Sequence, residues 1–124
     1  MKTWHLIAPG EFKEFEQSEA PLKPGEARVK IFNVLLNSFD AMVYDGVMNA
    51  AFPLIPGRFA VGKITAIEEN GACAAEKGNR VFLNPVFPDK AFRGDSTPLL
   101  GMESVKIAGQ TCDGFLAPYV NIST

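Results

Sequence analysis

Apolar and polar residues alternate along much of the chain, which is the period of a β-strand. Between Met1 and Ala8, Trp4, Leu6 and Ala8 face one way and Thr3, His5 and Ile7 the other, predicting a first strand stopped by Pro9-Gly10. Glu11 to Gln17 sets Phe12 and Phe15 among acidic residues and reads as a second short strand. From Ala27 to Asn37, Val29, Ile31 and Asn33 oppose Arg28, Lys30, Phe32 and Val34. That run turns apolar on both faces at Leu35-Leu36, as a strand entering a covered core does. After Gly57, Val61, Lys63, Thr65 and Ile67 alternate with Gly62, Ile64, Ala66 and Glu68, predicting a strand closed by a turn at Asn70-Gly71. Further strands are expected at Arg80 to Leu83, at Val105 to Ala108 and at Phe115 to Ile122. Pro118 makes the last an edge strand or kinks it.

Only one helix is expected, Phe39 to Tyr44, with Ser38 as its cap, Asp40 in its first turn and Gly46 just past its end. Ser18 to Gly25 is a loop, and Pro53 and Pro56 stiffen the approach to Gly57, so that Arg58-Phe59 stand at the head of a strand. Residues 86–110 hold no period for long and are expected to form an excursion lobe with little regular structure. Short strands, many Gly and Pro turns and one brief helix predict a mainly β domain, a barrel or sandwich.

Composition narrows the partners. A chain of 124 residues suggests one domain able to bury roughly two-thirds of its unfolded surface. A net charge of −2 without a basic stripe argues against nucleic acid. No apolar run approaches ~18 residues, so no membrane span is expected, and the apolar stretch near Met1 is too short for a signal peptide. Cys73 and Cys112 do not make a disulfide framework and are read as reduced thiols of a cytoplasmic protein, although a disulfide between them stays open.

Four stretches then follow in a recognisable order: PGEARVKIFNVLLNSFDAMVYDG, PLIPGRFAVGKITAIEENG, EKGNRVFLNPV and DGFLAPYV. From about Pro24 to Val120 the chain resembles the N-terminal, GroES-like catalytic domain of the medium-chain dehydrogenases/reductases. The resemblance implies a GroES-like β-barrel with one or two short helices, acting on a small-molecule substrate with NAD(P). The cofactor would come from a Rossmann domain that this chain lacks, since no GxGxxG occurs in it. Members often form dimers or tetramers, largely through that domain, and oligomerisation of this chain stays open.

The departures from the family pattern are chemical. Where zinc-dependent members carry Cys, His and an acidic residue, this chain has Asn37, Arg58 and Phe59. Arginine offers no lone pair and phenylalanine no donor atom, whereas a catalytic zinc needs about three N, S or O ligands. The proton-relay positions hold Phe39 and Met42, and residues 86–112 contain only Cys112 where four cysteines would hold a structural zinc. No metal is expected. A zinc-independent branch, the quinone oxidoreductases and related enoyl reductases, carries Asn at the Cys position with an acidic residue three later, as in Asn37-Ser38-Phe39-Asp40. That branch usually lacks the long lobe.

The resemblance implies a pocket floor of Asn37, Asp40, Tyr44 and Arg58, with Asn37 also beside the nicotinamide. For Asn37 the alternative is a strand-end residue that satisfies local backbone donors. For Arg58 the alternatives are an anion ligand and an ion pair with Asp40, and the pair is favoured as the replacement for the metal. Tyr44 and Tyr119 more often pack than transfer protons. His5, the only histidine, is expected at the surface. Two functions remain, the substrate-side domain of a zinc-independent oxidoreductase or a non-catalytic binding or assembly module.

Overall fold

The computed structural model describes residues 1–68, 76–88 and 105–123, and the statements below concern these residues. Strands dominate and every strand pairing is antiparallel: β1 (Lys2–Ala8), β2 (Glu11–Glu16), β3 (Glu26–Leu35), β4 (Phe59–Ile67), β5 (Arg80–Leu83), β6 (Val86–Pro88), β7 (Val105–Ile107) and β8 (Tyr119–Ser123). A single helix, α1 (Ser38–Tyr44), follows β3. The central sheet has the order β5-β4-β3-β8, while β1 pairs β2 and β6 pairs β7 separately.

The alternation read along β3 and β4 builds the core. Ala27 and Val29 of β3, Ala60 and Ile64 of β4 and Leu83 of β5 are buried together, joined by Ala108 and Phe115. Ile31, Val34, Val120 and Ile122 pack against them. Burying one aliphatic side chain contributes about 1.5–3 kcal/mol, so this cluster is the main support of the sheet. β3 is irregular at Phe32, where the register with β4 shifts between Ile31 and Asn33. Pro118 precedes β8, and β8 lies at the sheet edge, which accommodates the missing ladder donor.

Three expectations are corrected. Leu35 and Leu36 are 64% and 55% exposed, so the two-faced apolar end of β3 enters no covered core among the described residues. His5 is buried, not at the surface, with its ring edge-on to Phe15 at 4.8 Å and Thr3 Oγ1 3.4 Å from Nδ1. The cause is an inverted face assignment. Thr3 and His5 face inward while Trp4 is 49% exposed, and strict alternation ends at Leu6 because Leu6 bonds back to back with Leu54 (2.7 and 3.0 Å). The helix cap is Asn37 rather than Ser38. The expected Asn70-Gly71 turn, Cys73 and most of the excursion lobe lie outside the described residues, while at the lobe's flanks the strand expected at Val105 to Ala108 is present as β7 and pairs with β6, which was not expected.

The loop from Leu54 to Arg58 is held from three sides. Leu54 bonds to Leu6, Ile55 N donates to Asp113 Oδ1 at 3.0 Å, and the carbonyls of Ile55, Pro56 and Gly57 accept from Gly114, Leu116 and Phe115 at 2.6, 3.0 and 3.1 Å. Gly57 has φ +103°, and an added Cβ there would meet Leu116 N and Val34 Cγ1 at 3.1 Å. Glycine is needed both for this backbone conformation and for the close approach of the 114–116 segment.

Candidate functional site

The local sequence Asn37-Ser38-Phe39-Asp40 makes a capping box. Asn37 Oδ1 accepts from Phe39 N at 3.0 Å, and Asp40 Oδ2 accepts from Asn37 N at 3.0 Å. This short helix is therefore started by its own first residues. The other oxygen of Asp40 accepts from Gly57 N at 3.3 Å, which fastens α1 to the stiff loop. At the far end of α1, the Tyr44 hydroxyl donates to Gly10 O at 3.4 Å, its ring stacks on Phe12 at 5.7 Å, and Gly10 N donates to Tyr44 O. The two contacts hold α1 between the β1–β2 hairpin and the loop.

Between these elements lies a groove of about 260 Å³. Asn37, Asp40 and Tyr44 line it, against an apolar wall that includes Leu6, Phe12 and Leu116. The structure thus brings together three of the four pocket residues expected from sequence. Arg58, the fourth, does not line the groove. Leu6, Phe12 and Leu116 were not foreseen, because the segments they belong to are distant in sequence and meet only through the pairing of Leu6 with Leu54 and of Leu116 with Pro56.

Arg58 is 8% exposed, and no ion pair with Asp40 forms. Each Asp40 oxygen accepts from a backbone N–H, and the carboxylate stands beyond ion-pair distance of the guanidinium. The guanidinium instead donates through Nη2 to Gln110 Oε1 at 2.7 Å and to Met48 Sδ at 3.3 Å, and lies over the Phe39 ring at 4.6 Å. Gln110 in turn donates to Asn49 O and accepts Ala51 N through its carbonyl. Nothing in the sequence marks Gln110 as the partner of Arg58. Burial lowers the Arg58 pKa from its ordinary value, and the charge of Asp40 partly offsets this. Phe59, the next residue along β4, leans on Phe82 instead, with ring centroids 6.1 Å apart.

The side chains at the zinc-ligand positions implied by the resemblance do not make a zinc donor set. Asn37 uses its oxygen to cap α1, Arg58 is a buried cation, and Phe59 carries no ligand atom. Among the described residues no group of three His, Cys, Asp or Glu side chains stands close enough to hold a metal ion.

Cys112 is half-buried, and burial raises its thiol pKa above the ordinary value, with Lys106 opposing and Asp113 reinforcing. The thiolate is the nucleophile. In a Cys73→Ser protein, iodoacetamide labelling of Cys112 at pH 8 should therefore be slower in the folded chain than in urea. The folded form also binds the proton longer, so this group's contribution to stability is complete below the unfolded thiol pKa and is lost as pH rises through the raised folded value. Equal labelling rates in both states would contradict the assignment.

A family model described as the alcohol dehydrogenase GroES-like domain matches residues 23–124. No curated protein sequence matches the chain. Among solved structures, galactitol-1-phosphate dehydrogenase from Escherichia coli is 22% identical with a TM-score of 0.81, over 99% of this chain and 36% of that one. The thermostable alcohol dehydrogenase of Pyrobaculum aerophilum is 21% identical with a TM-score of 0.81, over 100% and 39%. Haloferax mediterranei glucose dehydrogenase, in complex with NADP, Zn and gluconolactone, is 18% identical with a TM-score of 0.81, over 99% and 37%. The chain thus spans less than two fifths of the length of these structures, and at such identities their likeness speaks for the fold alone. Taken with the match over residues 23–124, the strand order and the capped helix beside the Pro56-Gly57 loop place the chain in the alcohol dehydrogenase GroES-like family, as the N-terminal type of domain found in medium-chain dehydrogenases/reductases.

Proposed function

We propose that the chain is the substrate-side domain of a zinc-independent, NAD(P)-dependent medium-chain oxidoreductase. The observation that carries this is the groove lined by Asn37, Asp40 and Tyr44, next to a buried arginine where the family's zinc enzymes keep a ligand. In this reading a nicotinamide bound to a domain beyond these 124 residues supplies the hydride. The chain's own residues bind and orient a small carbonyl compound or activated alkene in the groove. Fixed dipoles, rather than a metal, stabilise the charge that develops. Asn37 is suited to this because its oxygen is fixed by Phe39 N, which leaves its amide N–H donors to a substrate oxygen or the nicotinamide amide. The exposed side chains of Leu35, Leu36, Phe39 and Phe82 favour further protein over this region, as do the longer relatives. The cytoplasm is the compartment where such chemistry and reduced thiols fit.

One observation favours the second reading, a non-catalytic module on the same fold. Both Asp40 oxygens and the Asn37 oxygen are occupied by backbone donors, as structural residues would be. A single experiment separates the two. The longest native product carrying this domain is dialysed, assayed for metal and titrated with NADH and NADPH by fluorescence. The oxidoreductase reading expects saturable binding of one cofactor with no stoichiometric zinc. Absence of cofactor binding would leave the module reading, and one retained zinc per chain would refute zinc independence.

A further inference from the structure

Arg58 is incompletely satisfied. Its Nη2 has Gln110 and Met48, and one guanidinium face has Phe39, but Nε is buried and meets no acceptor. A buried donor on a charged group without a partner is costly and marks the place of a missing polar atom. Asp40 does not fill it: its charge reaches Arg58, but its oxygens accept from Asn37 N and Gly57 N and form no ion pair with the guanidinium.

We propose that the guanidinium edge at Nε is a binding site for a small monocarboxylate. A planar carboxylate matches the geometry of a guanidinium and forms charge-assisted hydrogen bonds with it. A doubly charged phosphate fits less well, since among the described residues Arg58 is the one cation of the cluster and the charge of Asp40 already reaches it. The Phe39 ring and the Met48 thioether wall the guanidinium with weakly polar surface, which strengthens a charge-assisted contact by excluding water. Phe39 is 45% exposed and Met48 and Gln110 are half-buried, so a rotamer change of Phe39 opens the way in. Assigning the carboxylate to a substrate of the groove's reaction rests on the oxidoreductase reading, whereas binding itself does not.

The test uses the 124-residue chain. The Arg58 Nε–Hε resonance and the melting temperature are followed as sodium acetate is added at pH 7 and constant ionic strength, with acetamide and inorganic phosphate in parallel. Acetate should shift the resonance saturably and raise the melting temperature, phosphate should act more weakly, and acetamide should do nothing. Arg58→Lys should lose the thermal response. Gln110→Glu, which sets an internal carboxylate beside the guanidinium, should also abolish it in a chain whose amide spectrum stays dispersed. No response to acetate, an equal response to all three solutes, or a thermal response retained in Arg58→Lys would each overturn the proposal. If Arg58→Lys does not fold, the Nε titration and Gln110→Glu decide. No cofactor enters any arm, so the result stands apart from the test of the oxidoreductase reading.

Discussion

Gly114→Ala is expected to destabilise the fold by about 3 kcal/mol, at the upper end of the usual cost of overpacking. A Cβ at this position would run into the carbonyl oxygen of Gly57 and come within 2.6 Å of the carbonyl oxygen of Pro56. Both obstacles are backbone, so neither can swing aside as a side-chain tip would. Relief requires the two segments to separate, which stretches the bonds from Gly114 N to Ile55 O, from Phe115 N to Gly57 O and from Leu116 N to Pro56 O. Gly109 presses on the same spot, since its own added Cβ would lie 3.1 Å from Gly57 N. For a chain of this size the loss corresponds to a fall in melting temperature of roughly 10–15 °C. Gly78→Ala is the comparison, because an added Cβ there meets nothing within 4 Å and only its φ of +94° opposes the change. A melting temperature for Gly114→Ala no lower than that of Gly78→Ala would show that the 54–58 loop is not clamped as described.

Asp40→Ala should cost about 2 kcal/mol, with the helix and the loop loosened together. Its two oxygens are the acceptors for Asn37 N and Gly57 N, and each half-buried N–H left without a partner costs on the order of 1 kcal/mol. The informative variant is Asp40→Asn. An amide has the same shape but only one acceptor, and its NH2 would face a backbone N–H. Asp40→Asn should therefore be nearly as unstable as Asp40→Ala, by urea denaturation with an unchanged m-value. Asn37→Ala, which removes the side-chain cap but leaves both Asp40 bonds, should cost only about 1 kcal/mol. If Asp40→Asn matched the parent chain, shape rather than acceptor count would hold this corner together.

Local chemistry explains which parts of the molecule were legible before folding. The alternation along β3 and β4 was legible because a pleated strand sends neighbours to opposite faces, and one face of it, with Ala27, Val29, Ala60 and Ile64, is in the core. Asn37 and Asp40 were singled out through the family resemblance, whereas the capping box they form was missed because Ser38 was the expected cap. His5 could not be placed correctly, because its burial follows from Leu6 bonding to Leu54, a partner far along the chain. The same holds for Arg58. A charge near a carboxylate in a related fold suggests an ion pair, but Asp40 bonds two backbone N–H groups whose positions exist only in the assembled structure.

The period of its apolar residues and the order of its proline and glycine turns determined, from sequence alone, that this chain is a mainly β domain with one short helix between its third and fourth strands, and the resemblance of its motifs to a known family supplied the GroES-like type. The frame around Pro56-Gly57 was likewise readable, since fixed φ at proline and freedom at glycine are properties of single residues. Tertiary structure alone decided how that frame is used. It set Gly57 against Gly114, turned Asp40 to the backbone, and left Arg58 buried on Phe39 and Gln110 with its Nε unanswered. Each of these outcomes depends on which of several competing partners comes within about 3 Å, and hydrogen-bond geometry at that range is fixed by packing between distant segments rather than by their order along the chain.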